Sequence, residues 1–197
     1  MSQPENEATD IDGTDVEAAP KRSHRAFWLV IAIAVVVVAL DQLSKWWAIE
    51  NLSDGQVIPV IGDWLRFVLV YNPGAAFGLG TGYTWILALV AVAAVVAIAW
   101  YAWRVKSLAW AIVLGMILGG AITHAGDRLF REPGFARGHV VDFIGYGTFF
   151  VGNVADIMIV VGAALAVLLV IMRVDAGRHP AAVEADAEVE APRESAE

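Results

Sequence analysis

Asp142 in "GHVVDFIGYG" and Asp156 in "GNVADIMIVV" are 14 positions apart, and both are flanked by Val, Ile, Phe or Ala. An ionised Asp at mid-bilayer costs about 2.5–3.5 kcal/mol on insertion scales, so a chain that keeps one in an apolar run uses it or shields it. A short turn at Gly145-Tyr146-Gly147 can fold Asp142 back onto the run that holds Asp156. Two carboxylates held close cannot both ionise cheaply, and they share a proton. The ionised one can take a proton from water while the protonated one donates to a carbonyl oxygen. That is general acid–base hydrolysis of an amide, with no metal, cofactor or covalent intermediate. The chain has no cysteine, which excludes a thiol nucleophile, disulfides, Cys-ligated zinc and a lipid anchor on Cys. Neither a G-x-S-x-G elbow nor an H-E-x-x-H motif is present.

Other polar groups in apolar settings gather near the two carboxylates. Asp41 and Lys45 in "ALDQLSKWW" are four apart, share a helix face and can pair, either to close a bundle or to orient a site. Asn72 lies in "VYNPGAAFG"; His124, Asp127 and Arg128 lie in "ITHAGDRLF"; Asn153 lies three residues before Asp156. Each has a structural alternative. Asn153 can be a helix N-cap with Asp156 at N3, Asp142 a loop carboxylate, and Asp127-Arg128 an interfacial ion pair. "GMILG", Gly115 to Gly119, has GxxxG spacing and reads as helix packing.

The elements that must position these groups follow from composition. The chain has 197 residues, is 58% hydrophobic and carries a formal net charge of −8. The first 25 and last 23 residues hold 13 of the 21 Asp and Glu, so the acidity belongs to the ends. Residues 1–25 and 174–197 are expected to be disordered acidic tails, with a single membrane domain over 26–173. No basic patch supports a nucleic-acid partner.

Four stretches approach the ~20 apolar residues needed to cross hydrocarbon. They are about Ala26–Ala48, Trp85–Trp103, about Leu108–His124, and Phe149–Met172. The first lacks a small-residue cleavage site after its apolar run and is expected to be a retained helix. Lys21, Arg22 and Arg25 precede it, Arg104 and Lys106 lie between the second and third, and Arg173 and Arg178 follow the fourth. The positive-inside rule then puts all three groups and both termini in the cytoplasm. Trp28, Trp100, Trp103 and Trp110 mark the inner interface; Trp46, Trp47, Tyr83 and Trp85 mark the outer one. Loops Asn51–Thr84 and Ala125–Thr148 face outside, and the polar groups cluster at that outer end. In the first loop, "VIPVIGDWLRFVLV" predicts a hairpin with Gly62-Asp63 in a type II′ turn and Pro59 on an edge strand.

"DQLSK", "YNPGAAFG", "GG…DR", "GHVVDF" and "GNVAD" occur in the order found in lipoprotein signal peptidases (signal peptidase II). The resemblance runs from about Asp41 to the end of the fourth span. It implies a four-helix aspartic peptidase of the bacterial cytoplasmic membrane, with its site near the outer face. The implied reaction removes the signal peptide from diacylglyceryl-modified prolipoproteins just before the lipidated cysteine. By resemblance the catalytic pair is Asp142 and Asp156. The supporting residues are Asp41, Lys45, Asn72, Asp127, Arg128 and Asn153. His124 stands where the family commonly has Asn.

The sequence expectation is therefore an all-α membrane protein with four transmembrane helices and a small extracytoplasmic β element. Its expected partners are lipid-modified prolipoproteins and membrane lipid, and it is expected to be a monomer. A small proton-coupled transporter is the alternative, because intramembrane Asp, Lys and His also build proton relays. No inverted repeat and no polar group at the midplane supports it. A membrane scaffold is the third reading. The G-x-G-D signature of another intramembrane aspartic peptidase class is absent, since "HAGD" has Ala at the first Gly.

Overall fold

The computed structural model describes residues 24–75 and 79–177. Lys21, Arg22 and Arg178, most of both acidic tails, and Ala76, Phe77 and Gly78 of "YNPGAAFG" lie outside the described residues. Eight elements follow in order: α1 (Arg25–Leu52), β1 (Val57–Ile61), β2 (Leu65–Asn72), α2 (Thr84–Ala102), α3 (Leu108–Phe130), β3 (Val140–Tyr146), β4 (Phe150–Gly152) and α4 (Val154–Ile171). All four helices are long and apolar enough to cross a membrane, as a multi-pass membrane protein requires.

The 28 residues of α1 span about 42 Å at 1.5 Å per residue. That exceeds the ~30 Å hydrocarbon core, so α1 is long enough to cross it with length to spare for tilt or extension. Its buried residues are Ala26, Val30, Ala34, Val37, Asp41, Lys45, Ala48 and Leu52. Steps of three and four mark one helix face. The face is apolar up to Val37, charged at Asp41 and Lys45, and apolar again under the sheet.

Helix α3 packs against α1, α2 and α4. Glycines permit the approach. A Cβ on Gly119 would lie 2.6 Å from Val37 Cβ of α1, and one on Gly120 would lie 2.6 Å from Ile159 Cγ1 of α4. Gly115 likewise meets Ile33, so the GxxxG spacing is a packing face.

The strands form one antiparallel sheet in the order β1-β2-β3-β4. Ile61 O accepts from Trp64 N at 3.0 Å, and Gly62 between them has φ 51°. Asp63 is not at positive φ, which fits the expected turn. Pro59 is on the edge strand, as expected. The all-α description needs correcting, because the sheet joins both interhelical segments: β2 precedes α2, and β3 and β4 separate α3 from α4. Val140, Val141, Asp142 and Phe143 are all buried. A strand buried on both faces lacks the alternation that reveals strands in a sequence. Asp142 is thus a strand carboxylate rather than a loop one. Phe149–Gly152 is likewise turn and strand, and α4 starts only at Val154.

Ala48 and Leu52 of α1 pack with Phe143, Phe67, Leu69, Ile144 and Val154. This cluster seats the sheet on the end of the bundle.

Candidate active site

Asp142 and Asp156 reach one cavity by different routes. Antiparallel pairing sets Val70 opposite Asp142 and Asn72 opposite Val140, which brings the Asn72 amide to the carboxylate. Asn72 Nδ2 donates to Asp142 Oδ2 at 3.0 Å while its Oδ1 accepts from Gly74 N at 2.9 Å, so the amide orientation is fixed. Asn153 Nδ2 donates to Asp142 Oδ1 at 2.7 Å.

Asn153 is also the N-cap of α4. Its Oδ1 accepts from Asp156 N at 3.0 Å, and its own N donates to Asp156 Oδ2 at 2.8 Å, a reciprocal capping box. Asn153 therefore caps α4 and also bonds Asp142, so one buried amide side chain touches both carboxylates. A Cβ on Gly152 would fall 2.8 Å from Asp156 Oδ2, so the residue before the cap has no room for a side chain. On the opposite side of Asp156, His124 Nε2 lies 3.1 Å from Oδ1.

The cavity has a volume of about 450 Å³. Asn72, Gly74, His124, Arg128, Asp142 and Asp156 line its polar part; Leu87, Val90, Ala91 and Ala94 of α2 and Val160 of α4 line the apolar part. Leu87 to Ala94 is about 10 Å of helix, so an apolar groove runs from the carboxylates down between α2 and α4. Arg128 donates to Pro73 O at 3.4 Å and to Gly74 O, and Thr84 Oγ1 donates to Pro73 O at 2.9 Å. The described part of "YNPGAAFG" is thereby held at the cavity mouth.

Burial pushes the Asp142 carboxyl up to about 6. The Asn72 amide opposes that rise, and the neighbouring Asp156 charge adds to it. Asp142 thus keeps a proton far above the ordinary carboxylate range.

Residues 33–172 match the family described as signal peptidase (SPase) II. The chain belongs to the signal peptidase II family. It is 48% identical over 162 residues to the lipoprotein signal peptidase of Mycobacterium avium (strain 104), covering 82% of this chain and 89% of that one. It is 44% identical over 158 residues to the lipoprotein signal peptidase of Leifsonia xyli subsp. xyli, covering 78% of this chain and 73% of that one. Its fold is similar to a bacterial membrane enzyme solved by the in meso method at 2.3 Å, with TM-score 0.61 and 23% identity over 85% of this chain and 94% of that one. A second such structure, at 1.9 Å, gives TM-score 0.62 and 25% identity over 72% of this chain and 91% of that one. The protein is a peptidase of the signal peptidase II type.

Within this signal peptidase II fold the sequence-predicted residues converge on the cavity or behind it. Asn72, His124, Arg128, Asp142 and Asp156 line it. Asn153 bonds two of them. Asp41, Lys45 and Asp127 sit behind, at 0%, 0% and 2% exposure. Asp127 does not pair with Arg128, contrary to one sequence reading. Adjacent helical residues point about 100° apart, whereas residues four apart share a face. Asp127 instead contacts Lys45 at 2.8 Å and Arg131 at 2.7 Å. Sequence reasoning missed Arg131 and Gln42; Gln42 donates to Asp127 Oδ1 at 3.2 Å and accepts from Arg131 at 3.1 Å. The i,i+4 spacing of Asp127 and Arg131 was a usable signal, hidden because the third span was ended at His124 while the helix runs to Phe130.

Proposed function

We propose that the chain removes the signal peptide from diacylglyceryl-modified prolipoproteins, cleaving on the N-terminal side of the lipidated Cys, with Asp142 and Asp156 as an acid–base pair. The observation that carries this reading is the convergence of the two carboxylates, one from β3 and one from the first turn of α4, on one cavity continuous with an apolar groove. The names of the curated relatives support the substrate class.

In the proposed reaction one proton is shared by the pair. The ionised carboxylate takes a proton from water, and the water oxygen bonds to the scissile carbonyl carbon. The protonated carboxyl donates to the carbonyl oxygen. The tetrahedral gem-diol then collapses: one hydroxyl returns its proton to the pair as the carbonyl re-forms, the C–N bond breaks, and the leaving nitrogen receives a proton from the pair. One water is consumed and the pair returns to its single-proton state. Asp142, with its raised pKa, is the member that keeps the proton to higher pH. Asn72 and Asn153 hold its carboxyl in place.

The substrate enters laterally, with its signal peptide along the apolar groove and its acyl chains in lipid. Lys and Arg near the helix ends support cytoplasmic termini and an outer-face site. The test is cleavage of a lipidated model prolipoprotein by wild type and by Asp→Asn variants at 142 and 156, with the product's first residue read by mass. Near-normal turnover in either folded variant sinks the pair. A reporter after Glu197 that reads as external, or labels near Gly55 and Arg137 that read as internal, sinks the topology.

A further inference from the structure

Behind the cavity lies a row of charge that the proposed chemistry does not use. Lys45 is 0% exposed, and its Nζ lies 2.6 Å from Asp41 Oδ2 and 2.8 Å from Asp127 Oδ2. The other oxygen of Asp41 reaches α4: Oδ1 accepts from Ala155 N at 2.9 Å. Asp127 reaches the sheet: Oδ2 accepts from Val141 N at 3.4 Å. Ala155 immediately precedes Asp156, and Val141 immediately precedes Asp142.

The arrangement has a symmetry of purpose that neither ion pair has alone. Each outer carboxylate holds the backbone N–H just before one member of the acid–base pair. The single ammonium between them fixes how far apart those two carboxylates sit. Arg131 closes the end at Asp127, with Nε 2.7 Å from Oδ1, so the row carries two negative and two positive charges. Helices α1 and α3 thereby tie down the start of α4 and the start of β3, which also meet through Asn153, the β3–β4 ladder and the contact of Phe143 with Val154.

We infer that Lys45, with Asp41 and Asp127, is a positioning brace that sets the separation of Asp142 and Asp156. The inference rests on the acid–base pair proposed above. Lys45 itself touches no reacting atom. Its effect passes through two backbone N–H groups to the carboxylates that follow them. A cation is required at this point because the two outer carboxylates would otherwise repel and let α4 and β3 drift apart. A rigid separation matters because the size of the interaction between two acids sets how far their macroscopic pKa values split. It also sets whether one substrate carbonyl can meet both.

The pH profile of cleavage separates a brace from mere structural support. In the full-length enzyme, Lys45→Met replaces the ammonium with an apolar chain of similar length. A 1 Å misplacement in an active site can cost about 10²-fold in rate, so kcat is expected to fall by that order with KM within threefold. The acid and alkaline limbs of kcat/KM are expected to converge, because acids further apart titrate more alike. Loss of the Lys45 charge alone would move both limbs the same way. The other titratable groups facing the pair, His124 and Arg128 of α3 and Tyr146 of β3, are unchanged in this variant.

If Lys45→Met does not fold, the double variant Asp41→Asn/Lys45→Gln keeps the net charge of the row and an acceptor for Ala155 N. It is expected to fold with a smaller loss of kcat and the same convergence. Limbs that stay in place, or that shift in parallel, in the folded enzyme overturn the brace. The failure of the brace and of the pair are distinguishable. Unmoved limbs in Lys45→Met beside inactive Asp142→Asn and Asp156→Asn sink the brace alone, whereas active Asp→Asn variants sink the pair.

Discussion

The two ends of the helix bundle are held by different forces. At one end Ala26, Val30, Ala34, Ala102, Val105, Ala111, Leu114 and Leu118 form an apolar cluster of mostly small side chains. Contacts there are non-directional, and glycines let backbones approach. At the other end the same α1 face carries Asp41 and Lys45, and buried groups are joined by directed bonds within about 3 Å. Lipid is as apolar as Leu, so the first end gains its cohesion from close packing rather than from exclusion of water. The second end must hold a few oxygens in fixed places, which packing alone cannot do. The fold thus separates cohesion from positioning along the helix axis, and substitutions at the two ends should fail differently.

The largest effect is expected at the polar end. Asp142→Asn or Asp156→Asn should each lower kcat by about 10³-fold or more, in line with loss of an acid or base, while helicity and melting temperature stay near wild type. Cleavage of a lipidated prolipoprotein by matched amounts of folded enzyme checks this. Large unfolding in both variants would erase the contrast, because the carboxylates would then be structural.

The apolar end should show the converse. Gly119→Leu drives a side chain into Val37 and Ala34 of α1. Overpacking of this kind costs about 1–3 kcal/mol. Melting temperature in detergent or lipid should drop, while kcat per folded molecule changes less than threefold. A kcat loss as large as that of Asp142→Asn would show that the two ends are not separable.

The pH dependence sharpens the polar end further. Asp142 at about 6 is protonated at pH 5 and mostly ionised at pH 7. The proposed reaction needs one proton on the pair, so kcat/KM should fall about tenfold per unit on the alkaline side once that proton is lost, with a limb near 6. Bound substrate excludes water and disfavours the charge, so the corresponding limb of kcat should lie at higher pH. A flat profile from 5 to 8 contradicts this assignment.

His124 brings a smaller effect. Its Nε2 faces Asp156 where the family commonly has Asn, and the imidazolium form can only donate. His124→Asn should keep activity within about threefold near neutral pH, because an Asn amide can donate to the same Asp156 oxygen. A larger loss in cleavage of a lipidated prolipoprotein would show that the imidazole does something the amide cannot. The smallest effect is expected outside both ends. Removing residues 1–20 or 181–197 should leave kcat/KM nearly unchanged, since neither acidic segment can bury a core.

How much of this was legible beforehand follows from the range of the forces involved. The four helices were visible as long apolar runs, because hydrophobic length is a local property. The hairpin turn at Gly62 was visible because only glycine enters that backbone region easily. The two carboxylates that meet at the cavity were visible as charges in apolar company, and the motif order pointed to Asp142 and Asp156. The N-cap at Asn153 was visible from its three-residue spacing to Asp156.

What only the tertiary structure decided are the relations between distant segments. That β2 and β3 pair, bringing Asn72 to Asp142 across 70 residues, is a fact of sheet register that no local pattern encodes. That one Asn153 serves both carboxylates depends on β3 meeting the start of α4. That Lys45 sits between Asp41 and Asp127 rather than only beside its helical neighbour depends on how α1 crosses α3. Asp127 illustrates the reason most plainly. In sequence its nearest cation is Arg128, yet helix geometry turns that side chain toward Pro73 and leaves Asp127 to Lys45 and Arg131. Local sequence specifies which groups are present and which face of an element they occupy. Which opposite charge lies across that face is settled only when the elements pack, because Coulomb attraction acts through space rather than along the chain.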